Sequence, residues 1–329
     1  MYMDGELVYD VVIIGSGPAG LAAAVYTSRA HMKTLVIAGV KWGGQLMITG
    51  DVENYPGFPD GIKGPELMER MRRQAERFGV VIMDDDAMDV QFEKRPFSVK
   101  TGRGAAYAGE SVIVATGAEA KWLGLPNEQR LIGRGVSSCA PCDAPFFMNK
   151  GVAVIGGGDA AMEESVVLTK FASAVTVIHR KDSFRASKIM QDRVLHNDKI
   201  KVIWDTEITD VTGEDRVTGL KMKNLKTGEE REMPVEGVFV AIGHSPSTKI
   251  FQGKVETDAK GYVKRIKHEK FKMINENGEA IGYEYNTMTS VEGVFVAGDV
   301  HDIHYRQAVT AAGYGCQAAL EVERWLSNK

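Results

Sequence analysis

The chain has 329 residues, of which 44% are hydrophobic and 26% are charged, with a formal net charge of −4. This length suits two globular domains that each bury a core, and the charge argues against nucleic acid as a partner. No apolar run approaches the roughly 20 residues of a membrane helix, and residues 1–10 lack the apolar core of a signal peptide. Three cysteines are too few for a disulfide-stapled secreted protein, so a reducing, cytoplasmic compartment is expected.

The first predicted nucleotide loop follows a strand early in the chain. Tyr9–Ile14 is apolar and β-branched, Leu21–Ala30 has a helix-forming composition, and Thr34–Ile37 is predicted as the next strand. The GxGxxG sequence between the first strand and the helix is typical of dinucleotide binding in this context. Such glycines let a helix N-terminus approach a pyrophosphate. The candidate contacts are Gly15, Gly17, Pro18, Ala19 and Gly20.

One expected feature of that site is absent from its usual position. An acidic residue that binds a ribose hydroxyl is expected about 20 residues after the loop, and there the sequence is Ala38-Gly39. The contact is therefore either missing or made by another residue. Farther along, Ser111–Ala115 is predicted as a buried strand that ends in Ala115-Thr116-Gly117.

A paired-thiol motif, Cys139-Ala140-Pro141-Cys142, precedes a second glycine-rich loop. A zinc site would need two more ligands, but no paired histidines lie near it and Cys316 stands alone in a helical segment. A structural disulfide is not expected in a reducing compartment. The motif therefore favours a redox dithiol that stores two electrons. The adjacent Asp143 suits a proton shuttle, or is an ordinary turn or cap residue.

The second nucleotide loop repeats the first architecture. Val152–Ile155 is predicted as a strand, Ala160–Phe171 as a helix and Val175–Ile178 as the next strand. The loop between the first two is a GxGxxA variant, which predicts a second dinucleotide. Its candidate contacts are Gly156, Gly158, Asp159 and Ala160.

Cations follow the strand after that loop, where a site for NAD carries an acid. His179-Arg180-Lys181 and Arg185 occupy this position. Arginine and lysine suit a 2′-phosphate, and arginine can bond two of its oxygens at once. The sequence predicts NADPH rather than NADH here, the alternative being a solvated basic loop.

The remaining elements suggest that the first domain is completed late in the chain. Val238–Ala241 is predicted as a strand ending in Ile242-Gly243, and Val294–Ala297 as one ending in Gly298-Asp299. A carboxylate at a strand end suits a sugar or ribityl hydroxyl, or it caps a helix. Val255–Ser290 is predicted as hairpins and loop, and Gln307–Leu326 as a helix rich in small residues.

Two nucleotide units in this order indicate one domain inserted into another. Crossings are expected near Glu119–Pro126 and Gly243–Lys249, which contain glycine and proline. The predicted division is 1–122 and 248–329 for the split domain with the first nucleotide loop, and 123–247 for the inserted domain, which carries the dithiol.

Taken together, the motifs resemble those of the low-molecular-weight thioredoxin reductases of bacteria and archaea. The resemblance covers nearly the whole chain, and CxxC-Asp before the second nucleotide loop is specific to this family and its close relatives. The motifs that carry it, in order, are Gly15–Gly20, Gly43–Leu46, Val52–Gly57, Ala115–Gly117, Cys139–Asp143, Gly156–Ala161, His179–Arg185, Gly298-Asp299 and Arg306–Ala308.

This resemblance implies an α/β fold of two Rossmann-like dinucleotide-binding domains of the three-layer ββα type, one inserted in the other. It implies a homodimer in which NADPH reduces FAD, FAD reduces the Cys139–Cys142 disulfide, and that pair reduces thioredoxin. Cys142 matches the cysteine that faces the flavin, Cys139 the one that exchanges with the partner, and Asp143 the acid/base. Further implied cofactor positions are Gly44, Gln45, Leu46, Asn54, Ala115, Thr116, Gly117, Gly243, Gly298, Asp299, Arg306, Gln307 and Ala308.

The sequence departs from the family pattern in three places. The motif is CAPC where CATC is usual, and Lys181 replaces the usual arginine. Val263–Thr289 is longer than the corresponding bacterial segment. The lysine is expected to loosen the preference for NADPH without reversing it.

The dithiol lies on the same predicted domain as the second nucleotide loop. A disulfide stacked on a flavin is shielded from a protein partner, so one rigid arrangement does not easily serve both reactions. As in the family, the inserted domain is expected to rotate about the two crossings.

Related functions form the alternatives. A reductase of this type can serve a glutaredoxin-like disulfide oxidoreductase or a peroxiredoxin system, although the latter normally has an extra N-terminal disulfide domain that is not expected here. A dithiol oxidase independent of NADPH would lack the basic cluster. A non-catalytic nucleotide sensor would have lost a cysteine or a glycine loop.

Overall fold

A computed structural model describes residues 2–3, 6–266, 272–274, 280–282 and 285–328 of the chain. The chain forms two compact units, Met1–Glu119 with Ser245–Lys329, and Ala120–His244. None of the described helices has the combined length and apolar character needed to cross a membrane.

The strands are short in most places, and seven α-helices lie in the described residues. The strands are β1 (Tyr2–Met3), β2 (Glu6–Ile14), β3 (Thr34–Ile37), β4 (Asp51–Val52), β5 (Ile62–Lys63), β6 (Val81–Met83), β7 (Ala87–Gln91), β8 (Phe97–Thr101), β9 (Ala106–Val114), β10 (Ala118–Ala120), β11 (Val136–Ser137), β12 (Gly151–Ile155), β13 (Ala174–Ile178), β14 (Ile200–Ile203), β15 (Thr206–Thr212), β16 (Gly219–Asn224), β17 (Glu230–Pro234), β18 (Gly237–Val240), β19 (His244–Pro246), β20 (Lys272–Ile274), β21 (Ala280–Gly282) and β22 (Val294–Val296). The helices are α1 (Pro18–Arg29), α2 (Gly64–Arg77), α3 (Glu128–Leu131), α4 (Ala140–Asp143), α5 (Asp159–Leu168), α6 (Lys188–Leu195) and α7 (Ala308–Ser327), and 3₁₀ turns cover Gly44–Ile48, Ala144–Phe147 and Lys249–Phe251.

The first unit is built on a sheet in the order β6-β3-β2-β9-β8-β7, with β22 also paired to β9. The pairs β2–β3, β2–β9, β3–β6 and β9–β22 are parallel. Alternate residues of β2 enter two cores, because side chains of a strand point to opposite faces. Ile13 packs with residues of α1 and α7, whereas Ile14 packs with Phe97 and Val99 of β8.

The second unit has three layers around a parallel sheet in the order β11-β18-β12-β13-β14. Val154 of β12 packs on one face with Met162 of α5 and Val194 of α6. Its neighbour Ile155 packs on the other face with Leu220 of the antiparallel β15–β16–β17 sheet. This order of helix, parallel sheet and antiparallel sheet agrees with the predicted ββα layering.

The two chain crossings pair with each other through β10 and β19. Beside them, the Thr116 hydroxyl donates to the Ser247 carbonyl at 2.8 Å. The Ser247 N–H donates to the Gly117 carbonyl at 3.0 Å. The two segments that join the units are therefore held together by side-chain and backbone hydrogen bonds.

Two predicted helices have different ends in the structure. The helix predicted from Leu21 begins at Pro18, because proline lacks only an N–H that the first turn does not use. The helix predicted to Phe171 ends at Leu168, and the Phe171 N–H donates to Leu168 only three residues back, in a tighter turn.

The predicted hairpins and loop of Val255–Ser290 are described only in part. There, β20 and β21 pair antiparallel. Residues 267–271, 275–279 and 283–284, most of the segment noted as longer than in the family, lie outside the described residues.

Candidate functional site

Cys139 and Cys142 form a disulfide, with their Cα atoms 5.3 Å apart. The pair occupies the first turn of the short helix α4, in which Cys139 is the extended N-cap residue and Pro141 lies at the start. The N–H groups of Cys142 and Asp143 both donate to the Cys139 carbonyl, at 3.2 and 3.1 Å. Proline is tolerated at this position because the first turn of a helix leaves its N–H groups unpaired.

Asp143 follows directly after the disulfide and is half-buried. Burial raises the pKa of its carboxyl above the ordinary value, and the Ser137 hydroxyl offsets part of that rise. The Ser137 hydroxyl also accepts from the Cys139 N–H at 3.0 Å. The raised pKa keeps a larger share of the carboxyl protonated near neutral pH, which suits a proton donor to a leaving thiolate.

The glycines of the first nucleotide loop have two different tasks. A Cβ on Gly15, at φ +111°, would lie 2.3 Å from the Ala115 carbonyl oxygen, and one on Gly20 would lie 2.0 Å from the Gly15 carbonyl oxygen. These two residues allow close backbone packing. Gly17 is the N-cap of α1 with an extended backbone, and no described atom lies within 4 Å of its ideal Cβ position. The open space before the helix N-terminus fits a pyrophosphate.

The Ser16 hydroxyl, between Gly15 and Gly17, links the glycine loop to two later segments of the chain. The sequence did not single out this residue. Its hydroxyl donates to the Ala38 carbonyl at 2.7 Å and accepts from the Gly43 N–H at 2.9 Å. Gly44, at φ +68°, is thereby placed so that its ideal Cβ is 3.6 Å from the Gly17 Cα. Of the predicted contacts in this 3₁₀ turn, Gly44 and Gln45 are exposed and Leu46 packs against the small core beside α2.

Asn54 and Gln307 are far apart in sequence but meet in the structure. The Asn54 side-chain amide donates to Gln307 Oε1 at 3.3 Å. Gln307 is the N-cap of α7 and forms a capping box with Thr310, so α7 proper begins at Ala308. The structure thus joins two of the predicted flavin contacts at one helix terminus.

Asp299 lies at the end of β22, after Gly298, whose φ of +78° and close approach to Ala19 bring this turn against α1. Its Oδ1 atom is buried and has no hydrogen-bond partner among the described residues. Because Gln307 rather than Asp299 caps α7, the helix-cap interpretation fails for that helix. A buried acceptor without a partner fits a ligand hydroxyl, such as that of a ribityl chain.

Asp302 and Tyr262 position Arg306, and neither was selected from the sequence. The Asp302 carboxylate accepts from the N–H groups of His304, Tyr305 and Arg306 at 2.9 to 3.1 Å. This holds Arg306 at φ +49°, and its guanidinium donates to the Tyr262 hydroxyl at 3.1 Å. The turn presents Arg306 beside the N-terminus of α7.

Replacing Asp299 with asparagine is expected to stabilise the flavin-free protein at high pH. Burial, and then the charge of Asp302, raises the pKa of Asp299 from 3.8 to about 6. The folded state favours the protonated acid, so this stabilisation is complete below pH 3.8 and lost as pH rises through about 6. Above that range the variant should exceed the wild type by at most about 3 kcal/mol in urea unfolding. A difference that does not change with pH would contradict the assignment.

The second glycine loop repeats this division of tasks. Cβ atoms on Gly156 and Gly157 would lie 2.5 Å from the Ala241 carbonyl oxygen and 2.2 Å from the His179 ring. Gly158 is the N-cap of α5, and no described atom lies within 4 Å of its ideal Cβ. The loop fits a second pyrophosphate for the same reason as the first.

Three further predicted contacts are Asp159 and Ala160, which follow this loop in the chain, and Gly243, which follows β18. Asp159 begins α5 and accepts from the Ser187 N–H at 2.8 Å and the Ser187 hydroxyl at 2.6 Å. Ala160 follows it in the helix and is exposed. Gly243, at φ +106°, has open space around its ideal Cβ within the described residues.

The cation loop lies against the second glycine loop, because the Arg185 N–H donates to the Gly157 carbonyl at 2.7 Å. Arg180, Lys181 and Arg185 are exposed, and no described carboxylate lies within 4 Å of their charged groups. Unpaired cations beside an open glycine loop fit a 2′-phosphate.

His179 is only 6% exposed, and its Nε2 has no partner among the described residues. Burial, then the charges of Arg185 and Arg180, lowers its pKa, which favours the neutral form of the ring. Phe184 and Trp204 pack around it, with ring centroids 5.7 and 6.3 Å away. This aromatic setting was not predicted from the sequence.

Comparisons with known proteins agree with this arrangement. Residues 9–315 match the family described as pyridine nucleotide-disulphide oxidoreductase. The thioredoxin reductase of Rickettsia felis is 52% identical over 97% of this chain and 98% of its own length. The chain belongs to the thioredoxin reductase family.

A relative and a solved structure extend the comparison. The bifunctional thioredoxin reductase/thioredoxin of Mycobacterium leprae is 49% identical over 98% of this chain and 67% of its own length. The structure of thioredoxin reductase from Giardia duodenalis has a TM-score of 0.88 and 39% identity, and the match covers 98% of this chain and 100% of that one.

Membership of the thioredoxin reductase family confirms the predicted fold class of two Rossmann-like domains. It also confirms the predicted activity, an NADPH-dependent flavoprotein disulfide oxidoreductase. Members of the family use flavin and NADPH. The roles of the individual cofactor and catalytic residues remain predictions.

Proposed function

We propose that this chain reduces the disulfide of thioredoxin, with FAD bound by residues 1–122 and 248–329 and NADPH bound by residues 123–247. The supporting observation is the Cys139–Cys142 disulfide in the first turn of α4. It lies on the same compact unit as the cation-lined glycine loop. The fusion of a thioredoxin reductase with a thioredoxin in the Mycobacterium leprae relative supports thioredoxin as the partner.

When bound, NADPH and FAD supply hydride and two-electron chemistry. The chain holds them through open helix N-termini after Gly17 and Gly158. Asp299 offers a buried acceptor for a flavin hydroxyl, and Arg180 and Arg185 offer unpaired cations for the 2′-phosphate of NADPH. The proposed NADPH site therefore offers cations for the additional 2′-phosphate, whereas the proposed FAD site offers a carboxylate for a hydroxyl.

The reduced dithiol then passes its electrons to the partner by thiol–disulfide exchange. The Cys139 thiolate attacks one sulfur of the partner disulfide, forms a mixed disulfide and releases the other partner sulfur as a thiolate. Cys142 gives up its thiol proton and attacks the Cys139 sulfur, which restores the Cys139–Cys142 disulfide and releases the second partner sulfur as a thiolate. The two partner thiolates take up two protons: one is donated by Asp143, whose carboxyl has a raised pKa, and the other is the proton that Cys142 gave up, so that the partner leaves as a dithiol.

Both reactions of the dithiol require access to the same pair of sulfurs. We assign that access to rotation of the inserted domain about the crossings at Glu119–Pro126 and Gly243–Lys249. The paired strands β10 and β19, where the chain passes between the units, support this assignment. In a hinge, a few residues where the chain passes between domains absorb large changes in their backbone angles.

The assembly we propose is a homodimer in the cytoplasm. Tyr26 on α1 and Val309 and Leu320 on α7 are large exposed apolar residues, at 45%, 42% and 38% exposure. Apolar residues exposed on adjoining helices suit contact with a second copy. The low cysteine content supports a reducing compartment.

The test is oxidation of NADPH and NADH by the purified flavoprotein with a panel of small redox proteins. We expect fast turnover with NADPH and thioredoxin, and a clearly lower kcat/KM with NADH. A higher kcat/KM for a glutaredoxin-like protein or a peroxiredoxin would assign the alternative partner instead. Equal rates with NADH and NADPH would contradict the 2′-phosphate site.

A further inference from the structure

The loop of the proposed 2′-phosphate site contains an acid among its cations. Asp182 lies between Lys181 and Arg185, and its side chain is 71% exposed. A free carboxylate at this position would repel a phosphate that the neighbouring cations attract. The loop therefore contains charges of both signs, which act on a bound phosphate in opposite directions.

A second acid, Asp205, faces the same loop. Its N–H donates to the Lys181 carbonyl at 3.2 Å, it has a left-handed backbone at φ +51°, and its side chain is 19% exposed. Two carboxylates thus lie beside the cations that we assign to the 2′-phosphate.

Lys226 bridges these two acids from a different part of the unit. Its Nζ atom lies 2.9 Å from Asp205 Oδ2 and 3.6 Å from Asp182 Oδ2. The hydrogen bond with Asp205 raises the pKa of Lys226, desolvation lowers it by a smaller amount, and the charges of Asp205 and then Asp182 raise it further. One cation thereby neutralises part of the charge of both carboxylates.

The hairpin between β16 and β17 is built so that Lys226 reaches this position. The Asn224 side-chain oxygen accepts from the N–H groups of Lys226 and Thr227 at 2.9 Å. Gly228, at φ +74°, closes the turn through its N–H and the Asn224 carbonyl. The Leu225 N–H donates to the Asp205 carbonyl, which fixes the hairpin to the residue that Lys226 pairs with.

We propose that Lys226 is a specificity-determining residue of the nucleotide site, which holds Asp182 and neutralises Asp182 and Asp205 so that the cation loop accepts a 2′-phosphate. The residue acts through the two acids and not by contact with the nucleotide. This inference rests on the proposed 2′-phosphate site. It also gives a physical reason why a loop with Lys181 in place of arginine still favours NADPH.

The test is calorimetric binding of adenosine 2′,5′-bisphosphate and of 5′-AMP to the oxidised flavoprotein, at low and at physiological ionic strength. Lys226→Gln is expected to weaken binding of the bisphosphate about three- to fivefold at low ionic strength, and less at higher ionic strength. Binding of 5′-AMP should not change. Lys226→Arg should retain the affinity, because the positive charge is kept.

Replacing Asp182, which loses its lysine partner in Lys226→Gln, is expected to restore binding of the bisphosphate. In Asp182→Asn/Lys226→Gln, the bisphosphate affinity should return most of the way to that of the wild type. Lys188→Gln is the matched control, since Lys188 is an exposed lysine of the same unit paired with Asp192 at 3.1 Å. It should leave binding of both ligands unchanged.

Three results would overturn the inference: no loss in Lys226→Gln, equal losses for the bisphosphate and 5′-AMP, or no rescue by Asp182→Asn. Arg180→Ala separates this failure from failure of the site itself. If Arg180→Ala weakens the bisphosphate and Lys226→Gln does not, only the role of Lys226 is wrong. If neither variant changes binding, the 2′-phosphate site is wrong as well.

Discussion

Replacing Cys139 with serine is expected to lower NADPH-dependent reduction of thioredoxin by at least about a thousandfold, because serine cannot form the mixed disulfide and Cys142 alone has no second thiol with which to complete the exchange. Reduction of the flavin by NADPH should continue, since that step does not use the Cys139 sulfur. The measurement is thioredoxin reduction beside bleaching of the flavin absorbance by NADPH in the same preparation. Loss of both reactions would show that the variant is misfolded or lacks flavin.

Cys316→Ser is the matched control for this variant. Cys316 is the free, half-buried cysteine on α7, and its proximity raises the pKa of the Tyr26 hydroxyl. Because serine is close to cysteine in size and shape and Cys316 is not part of the disulfide, activity with thioredoxin should stay close to that of the wild type. If Cys316→Ser lost activity to the same extent as Cys139→Ser, the assignment of the exchange to the CAPC motif would be wrong.

The local units of the fold could be predicted from the sequence because each carries its own signal. The apolar run of Tyr9–Ile14, the glycines after it and the helix-forming segment from Leu21 are contiguous, so their order alone predicts a nucleotide-binding unit. Only the ends of the helix differ from the prediction. The helix begins at Pro18 and not at Leu21, because composition indicates a helix but does not fix its first turn.

The long-range contacts of the sites could not be predicted in the same way. Ser16 bonds Ala38 and Gly43, and Lys226 pairs with Asp182, which lies 44 positions earlier in the sequence. A serine within a glycine loop and a lysine in a hairpin turn are ordinary residues for their positions. Only the folded chain shows which distant groups they contact, so a periodicity argument does not select them.

A substitution in the first glycine loop is expected to weaken flavin binding strongly without unfolding the protein. Gly17→Ala is expected to leave the flavin-free protein folded, because the new Cβ enters open space at a backbone conformation, φ −68° and ψ −176°, that alanine adopts readily. The loss of a glycine N-cap costs at most about 1 kcal/mol. Flavin binding should weaken at least about a hundredfold, since the methyl group occupies the space proposed for the pyrophosphate.

Gly20→Ala, in the same loop, is expected to destabilise the fold of the flavin-free protein, which Gly17→Ala leaves intact. Its Cβ would lie 2.0 Å from the Gly15 carbonyl oxygen, so the backbone must move at a cost of about 1–3 kcal/mol or more in unfolding free energy. Urea unfolding of the flavin-free proteins and the flavin-to-protein ratio after reconstitution measure both effects. Full flavin content in Gly17→Ala would show that Gly17 does not leave space for the ligand. Unchanged stability in Gly20→Ala would show that Gly20 is not needed for close backbone packing.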